Sequence, residues 1–339
     1  MSKKRKSIII GIVAILLIAL CWAVLLLIEN HGLTDIQFGD TGGWGDEDSE
    51  TYLTIGNTDY KTSDDIDTYL IIGTDNGGEV YGEAYSGEFA DFLLLLIVDN
   101  TTERYGFYSI DRNSMVPVSV LDEKGNFSRY HEQQICISHW YGMNAEQRNQ
   151  NTVSAVSALF GGLDIDSYYT MSMSNIGKLN HAVGGVAVNI DEDLTKADPA
   201  FTEGKTVLLS DEQAEKYLRA RFVLDDASNA SRMKRQQQYM QKMYDTLFGQ
   251  LRENPEYINE IYNDLKGSIQ TDGSSGELST AVNHILKYDG KGFIRLEGKT
   301  VVNDTLGDNV EHEEFYPRTD SIVSSLKKVI DLKEDDESE

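Results

Sequence analysis

Two cysteines occur in 339 residues. Cys21 lies inside an apolar run near the N-terminus, which leaves Cys136 alone in the rest of the chain. A disulfide framework of the kind that staples small extracellular domains is therefore excluded. No catalytic signature surrounds Cys136, and a solitary cysteine is most often a small apolar core residue. Positive charge is the second scarcity. Lys and Arg number 30 against 56 Asp and Glu, giving a formal charge of -26. A nucleic-acid surface needs a broad basic face, and no nucleic-acid-binding motif is present, so that class of partner is excluded. Internal repeats are absent. The excess acid reads as a solvated surface that favours solubility.

Two clusters of basic residues stand out against this background. Lys3, Lys4, Arg5 and Lys6 precede an apolar run from Ile8 to Ile28. Its 21 residues are enough to cross a hydrocarbon core of about 30 Å. No small-x-small cleavage site follows it, so the run is expected to remain as a single transmembrane helix. The basic tetrad then stays in the cytoplasm, and everything after Glu29 faces outside the cell membrane. The second cluster is Arg219, Arg221, Arg232, Lys234 and Arg235, followed by Gln236, Gln237 and Gln238. Guanidinium groups bind phosphate as a planar fork, so this cluster is a natural diphosphate clamp.

Between these clusters the chain divides by composition. Residues 1–7 form the basic N-terminus, 8–28 the membrane span, and 29–67 a stem rich in Gly, Asp, Glu and Thr. Residues 68–330 are long enough for one sizeable α/β domain, and 331–339 form an acidic tail. Thr68–Gly73 and Phe92–Val98 are apolar on both faces, as strands of a sheet covered by helices on both sides would be. Arg104–Ile110 makes a third strand after a turn at Asp99–Thr102. Helices are predicted over Asn144–Phe160, stopped by Gly161-Gly162, and over Ser174–Val183, stopped by Gly184-Gly185. Tyr168–Met173 and Val186–Ile190 read as extended. The order β-β-β-α-β-α-β gives an α/β fold: a single α/β/α domain with a central mixed sheet. Ser210 and Gln213 form a capping box that starts another helix at Asp211. Arg219 and Arg221 are two apart and share no helix face, so the chain should leave regular helix near Arg219. A further helix begins near Ser231, with Arg232, Arg235 and Gln236 on one face and Met233, Met240, Tyr244 and Leu247 as its core stripe.

Five segments, in this order, resemble the LytR-CpsA-Psr family of membrane-anchored cell-wall proteins. They are Leu70-Ile71-Ile72-Gly73-Thr74-Asp75, Ala90-Asp91-Phe92-Leu93-Leu94, Tyr108-Ser109-Ile110-Asp111-Arg112, His181-Ala182-Val183-Gly184-Gly185-Val186, and Leu218-Arg219-Ala220-Arg221 with Arg232-Met233-Lys234-Arg235-Gln236. The resemblance implies a phosphotransferase that moves a glycopolymer of teichoic-acid or capsular type from polyprenyl pyrophosphate to peptidoglycan, with the lipid tail in an apolar pocket. It implies that Asp75 and Asp91 bind Mg2+ (or Mn2+), and that Arg112, Arg219, Arg221, Arg232 and Gln236 hold the diphosphate. Asp75, Arg112 and Arg232 are then the residues expected to carry catalysis. Such a reaction needs charge neutralisation and in-line positioning more than covalent help from the protein.

The chain departs from the family pattern at four positions. Asp111 stands where proline is common, Asn113 where an acidic residue follows the arginine, and Gln134 where a basic residue is frequent. Asn229 stands where an aspartate often precedes the last arginine motif. An amide cannot accept a proton as a carboxylate does. Asp225, Asp226 and Asp111 are alternative bases, and a non-catalytic protein that binds or senses the lipid-linked precursor is the alternative function.

Overall fold

The computed structural model describes residues 51–76, 88–220, 229–254, 257, 261, 264–305 and 311–335; within these, the side chains of 219, 229–234, 236, 237, 275, 278 and 279 are left aside. The expected membrane span 8–28 lies outside the described residues, among which no helix is long and apolar enough to cross a membrane.

The chain begins with β1 (Thr51–Ile55), β2 (Thr58–Thr62), β3 (Ile66–Asn76), β4 (Glu88–Asp99) and β5 (Arg104–Ile110). A hairpin of β6 (Met115–Leu121) and β7 (Phe127–Gln134) runs into a 3-10 turn (Ile135–Trp140) and helix α1 (Ala145–Leu159). Then come β8 (Ser167–Ser172), α2 (Ile176–Ala182), β9 (Val186–Asn189), β10 (Thr206–Leu209), α3 (Asp211–Arg219) and α4 (Asn229–Glu253). The C-terminal part holds β11 (Gln270–Thr271), α5 (Ser275–Ile285), β12 (Asp289–Arg295), β13 (Gly298–Asn303), β14 (His312–Pro317), α6 (Thr319–Leu326) and β15 (Lys333–Glu334). Six strands share one sheet in the order β11-β8-β3-β4-β5-β12. It is mixed: β5 runs antiparallel to β4 and parallel to β12. The expected α/β fold with a central mixed sheet is therefore present.

The expected single domain divides into two compact units. The first comprises the described residues of Ile28–Leu70, Asn76–Tyr168 and His284–Glu339. Its core is built on β4, where Leu93, Leu94, Leu95, Ile97 and Val98 are fully buried. A strand apolar on both faces has no side left for water, which is why the run reads as unbroken hydrophobicity. Helix α1 starts where the Asn144 side chain accepts the Gln147 N–H. It ends in left-handed glycines: Gly162 N–H donates to Ser157 O at 2.9 Å and Gly161 N–H to Ala158 O at 3.2 Å.

Both ends of this unit correct the sequence expectation. Residues 51–67, assigned to a flexible stem, form β1, β2 and the start of β3, with Leu53 fully buried and Ile55 nearly so. The tail expected to be solvated from Asp331 contains the buried Leu332 and then β15, which pairs with β2. Short polar strands with one inward apolar residue leave little trace in composition.

The second unit comprises Ile71–Asp75 and Tyr169–Asn283 among the described residues. Asn180 on α2 is fully buried and satisfied. Its amide donates to Leu209 O at 2.9 Å, while its carbonyl accepts the Val186 N–H and the Tyr239 hydroxyl at 3.2 Å each. The capping box forms as read: Ser210 Oγ accepts the Gln213 N–H and the Gln213 side chain accepts the Ser210 N–H. Helix α3 does end at Arg219, and α4 starts at Asn229, two residues before the expected point.

Candidate functional site

In the first unit, Asp91 lies near the start of β4 and Arg112 follows the end of β5. Antiparallel pairing sets Leu93 opposite Ile110, so the start of one strand lies beside the end of the other. Arg112 Nη1 sits 3.1 Å from Asp91 Oδ1. Arg112 Nη2 donates to Cys136 Sγ at 3.3 Å. Arg112 Nε is buried and has no hydrogen-bond partner among the described residues. A buried guanidinium nitrogen without an acceptor is costly, and an incoming anion oxygen would satisfy it. Cys136 is buried, as expected for a packing residue. Burial pushes its thiol up, against the opposing pull of Arg112, so it remains protonated at neutral pH.

The loop that carries Arg112 is held from three directions. The Asn113 N–H donates to Asp111 Oδ1 at 2.8 Å. The Cys136 N–H donates to Arg112 O at 3.1 Å, and the Phe315 N–H to Asn113 O at 2.9 Å. Gln134 Nε2 donates to Asn113 Oδ1 at 3.1 Å and to Glu313 O at 2.7 Å. The two family departures at 113 and 134 thus face each other.

Asp111 has the environment of a proton acceptor. Burial pushes its carboxyl up to about 6, while the Asn113 amide and the Arg112 guanidinium pull it down. Arg295 acts on it as well. Sequence reasoning missed Arg295, which ends β12. Parallel pairing sets it against Ser109, two residues before Asp111. Its Nη1 is buried without a partner among the described residues, and burial lowers its pKa. No local motif marks it, because the pairing joins segments far apart in sequence.

In the second unit, Asp75 is the penultimate residue of β3 and is half-buried. Arg219 is the last residue of α3, while Arg221, Asp225 and Asp226 lie outside the described residues. Arg232 and Gln236 fall four apart on α4, which Asn229 begins. Arg235 is placed differently from a clamp residue. It is 4% exposed and begins a ridge of residues spaced four apart — Arg235, Tyr239, Met243, Leu247 and Leu251 — all of them buried. Its Nε donates to Tyr217 O at 3.2 Å and its Nη2 to Ala220 O at 3.1 Å, and its Nη1 pairs with Glu192. Glu192, too, was missed by sequence reasoning. The expected core stripe is corrected accordingly: Met240 and Leu247 are buried, whereas Tyr244 is only half-buried.

An open cleft of about 610 Å3 in this unit is lined by Asp211, Glu212, Glu215 and Asp264 with Lys178 and His181. Four carboxylates would repel a diphosphate, so this cleft is not the phosphate site. Among the described residues no group of three or more His, Cys, Asp or Glu side chains is placed to hold a metal ion.

The chain is thus a mixed α/β protein in which the ends of two neighbouring strands bring Asp91 and Arg112 together. The chain belongs to the LytR_cpsA_psr family, whose model matches residues 45–324. Solved structures share the fold. The protein gbs0355 from Streptococcus agalactiae is 18% identical with a TM-score of 0.55, over 78% of this chain and 86% of that one. TagV from B. subtilis is 18% identical with a TM-score of 0.51, over 79% and 96%. TagT bound to LI-WTA is 16% identical with a TM-score of 0.51, over 78% and 90%. Among curated proteins nothing matches.

Proposed function

We propose that this chain is a membrane-anchored phosphotransferase of a Gram-positive envelope. It moves a teichoic-acid or capsular glycopolymer, with its phosphate, from polyprenyl pyrophosphate to a peptidoglycan hydroxyl. Membership of the family supports a cell-wall glycopolymer transferase role. The observation that carries the reading is Arg112: a guanidinium at a strand end, held by Asp91 and Cys136, with its Nε buried and lacking an acceptor among the described residues. A diphosphate oxygen supplies that acceptor.

In this reading Arg112, Arg219, Arg221, Arg232 and Gln236 orient the diphosphate and stabilise charge that builds on its oxygens. The acceptor hydroxyl oxygen attacks the phosphorus bearing the glycan, the bond to the lipid phosphate breaks, and polyprenyl phosphate leaves. Asp111, its carboxyl held near 6, takes the hydroxyl proton. Asp75 and Asp91 would hold Mg2+ (or Mn2+), which neutralises diphosphate charge when bound.

The test is transfer of a lipid-pyrophosphate glycan to peptidoglycan fragments. Arg112→Ala should slow transfer by roughly a hundredfold, the usual cost of removing one charge-stabilising donor. Arg112→Lys should also be damaging, because lysine lacks the planar fork. Loss of neither rate nor binding in these variants would defeat the reading. Asn229 favours a second reading, a protein that binds the lipid-linked precursor without transferring it. Binding of the lipid by the parent chain with no transfer, and transfer gained in Asn229→Asp, would establish that one.

A further inference from the structure

We propose that Arg235 is a positioning residue: with Glu192 it fixes the end of helix α3, of which Arg219 is the last residue, and does not itself touch the diphosphate. The inference deepens the diphosphate reading above and rests on it. The last carbonyls of an α-helix have no partner within the helix and carry partial negative charge. Here Arg235 satisfies two of them at once, donating Nε to Tyr217 O at 3.2 Å and Nη2 to Ala220 O at 3.1 Å. These residues flank Arg219. A guanidinium suits this task because its donors are fixed in one plane, so the two carbonyls are held at a set spacing. A lysine would offer one movable ammonium instead.

Glu192 completes the arrangement. It follows β9 and pairs with Arg235 Nη1, so the buried positive charge is neutralised from within the protein. Charges buried at this depth persist when they are paired and hydrogen-bonded. The Arg235 side chain is 5% exposed and that of Glu192 32%. Further along the same elements, the Tyr217 hydroxyl donates to Gln238 Oε1 at 3.0 Å, and Gln238 Nε2 donates to Asp191 Oδ2 at 3.3 Å. The end of α3, the start of α4 and the segment after β9 are thereby tied into one polar joint.

The two roles predict opposite signs for one substitution. If Arg235 were a diphosphate ligand, Glu192 would compete with the ligand, and Glu192→Ala would tighten binding. As a positioning residue, Arg235 loses its anchor in Glu192→Ala, and binding weakens. The experiment uses the full chain in detergent micelles with geranylgeranyl pyrophosphate as probe, read by titration calorimetry. Glu192→Ala and Arg235→Lys should each weaken binding about tenfold, the lower range for residues that orient a ligand-binding group. Each should keep a cooperative thermal transition. Arg219→Gln combined with Glu192→Ala should be no weaker than Arg219→Gln alone, since both act through the same guanidinium. A purely structural joint would lower the melting temperature without this coupling. Tighter or unchanged binding in Glu192→Ala, or additive loss in the double variant, overturns the inference. Absence of binding by the parent chain overturns the diphosphate reading, and the inference with it.

Discussion

Gln134 and Asn113 are hydrogen-bonded to each other at 3.1 Å, Gln134 Nε2 donating to Asn113 Oδ1. Both are buried at 8% exposure. A neutral amide pair carries no desolvation penalty for charge, whereas a charge introduced on one partner alone is buried without compensation. Asn113→Asp alone should therefore destabilise the protein by about 3 kcal/mol, because it buries an uncompensated carboxylate. Asn113→Asp with Gln134→Lys should recover most of that loss. Denaturant midpoints of the two singles and the double decide it, and additive losses would show that the two positions are not coupled. His139 makes a second prediction. It is 1% exposed, with Nε2 3.0 Å from Asn149 Oδ1 and Nδ1 4.0 Å from Glu88 Oε2, and burial pushes it down to about 4. It is neutral at pH 7, so the Glu88 contact is not an ion pair there. The unfolded chain binds a proton near 6.5, where the folded chain does not. Stability supplied by the neutral ring is therefore complete above 6.5 and is lost as pH falls toward 4, roughly 3 kcal/mol in all. Asp111 acts with the opposite sign: its raised carboxyl favours the folded state at low pH and loses that contribution as pH rises toward about 6. His139→Gln should flatten the acid limb of a stability–pH curve while leaving the Asp111 limb in place.

At the scale of elements, the C-terminus of α1 shows how much one glycine decides. Gly161 has φ +73°, its carbonyl accepts the Thr54 N–H at 2.9 Å, and a Cβ there would meet Thr54 O at 2.7 Å. Gly162 has φ +91° with nothing within 4 Å of an added Cβ. Both substitutions by alanine carry the left-handed penalty, but only Gly161→Ala also pushes β1 away. The expected losses are about 2–3 kcal/mol for Gly161→Ala and about 1 kcal/mol for Gly162→Ala. Equal losses measured by chemical denaturation would show that the contact with β1 carries no weight. The stop at Gly161-Gly162 was legible because a helix-period pattern ended on two glycines. So were β4, whose apolar run cannot face water, and the α3 capping box, which is a local motif. The hairpin β1–β2 was not legible. Its inward residues are few and its outward ones are those of a linker, so composition alone placed it in a stem. Arg235 was read as a clamp residue because it sits among arginines; its place at the head of the 235-239-243-247-251 ridge was visible in the spacing but overridden by its charge. Arg295 and Glu192 had no local signature, since strand pairing and helix packing bring them into place.

At the scale of the whole molecule, the orientation proposed across a membrane rests on the basic residues at the N-terminus. Lys3, Lys4, Arg5 and Lys6 adjoin the apolar run Ile8–Ile28, and positive charge next to a span is retained on the cytoplasmic side. Moving four such charges outward with the span would oppose that bias, whereas the acidic remainder carries little orienting weight. The proposed reaction needs the same arrangement, because peptidoglycan lies outside and a polyprenyl chain must reach the fold from the membrane. The described fold starts no later than Thr51. In the sequence, 22 residues lie between Ile28 and Thr51. Protease added to intact protoplasts should therefore release an acidic fragment beginning between Glu29 and Thr51, and should leave a short basic stub in the membrane. A released fragment starting after Thr62 would mean that β1 and β2 are not part of the protected fold. A domain fully protected until the membrane is opened would place it inside the cell, where peptidoglycan is out of reach, and would overturn both the orientation and the proposed acceptor.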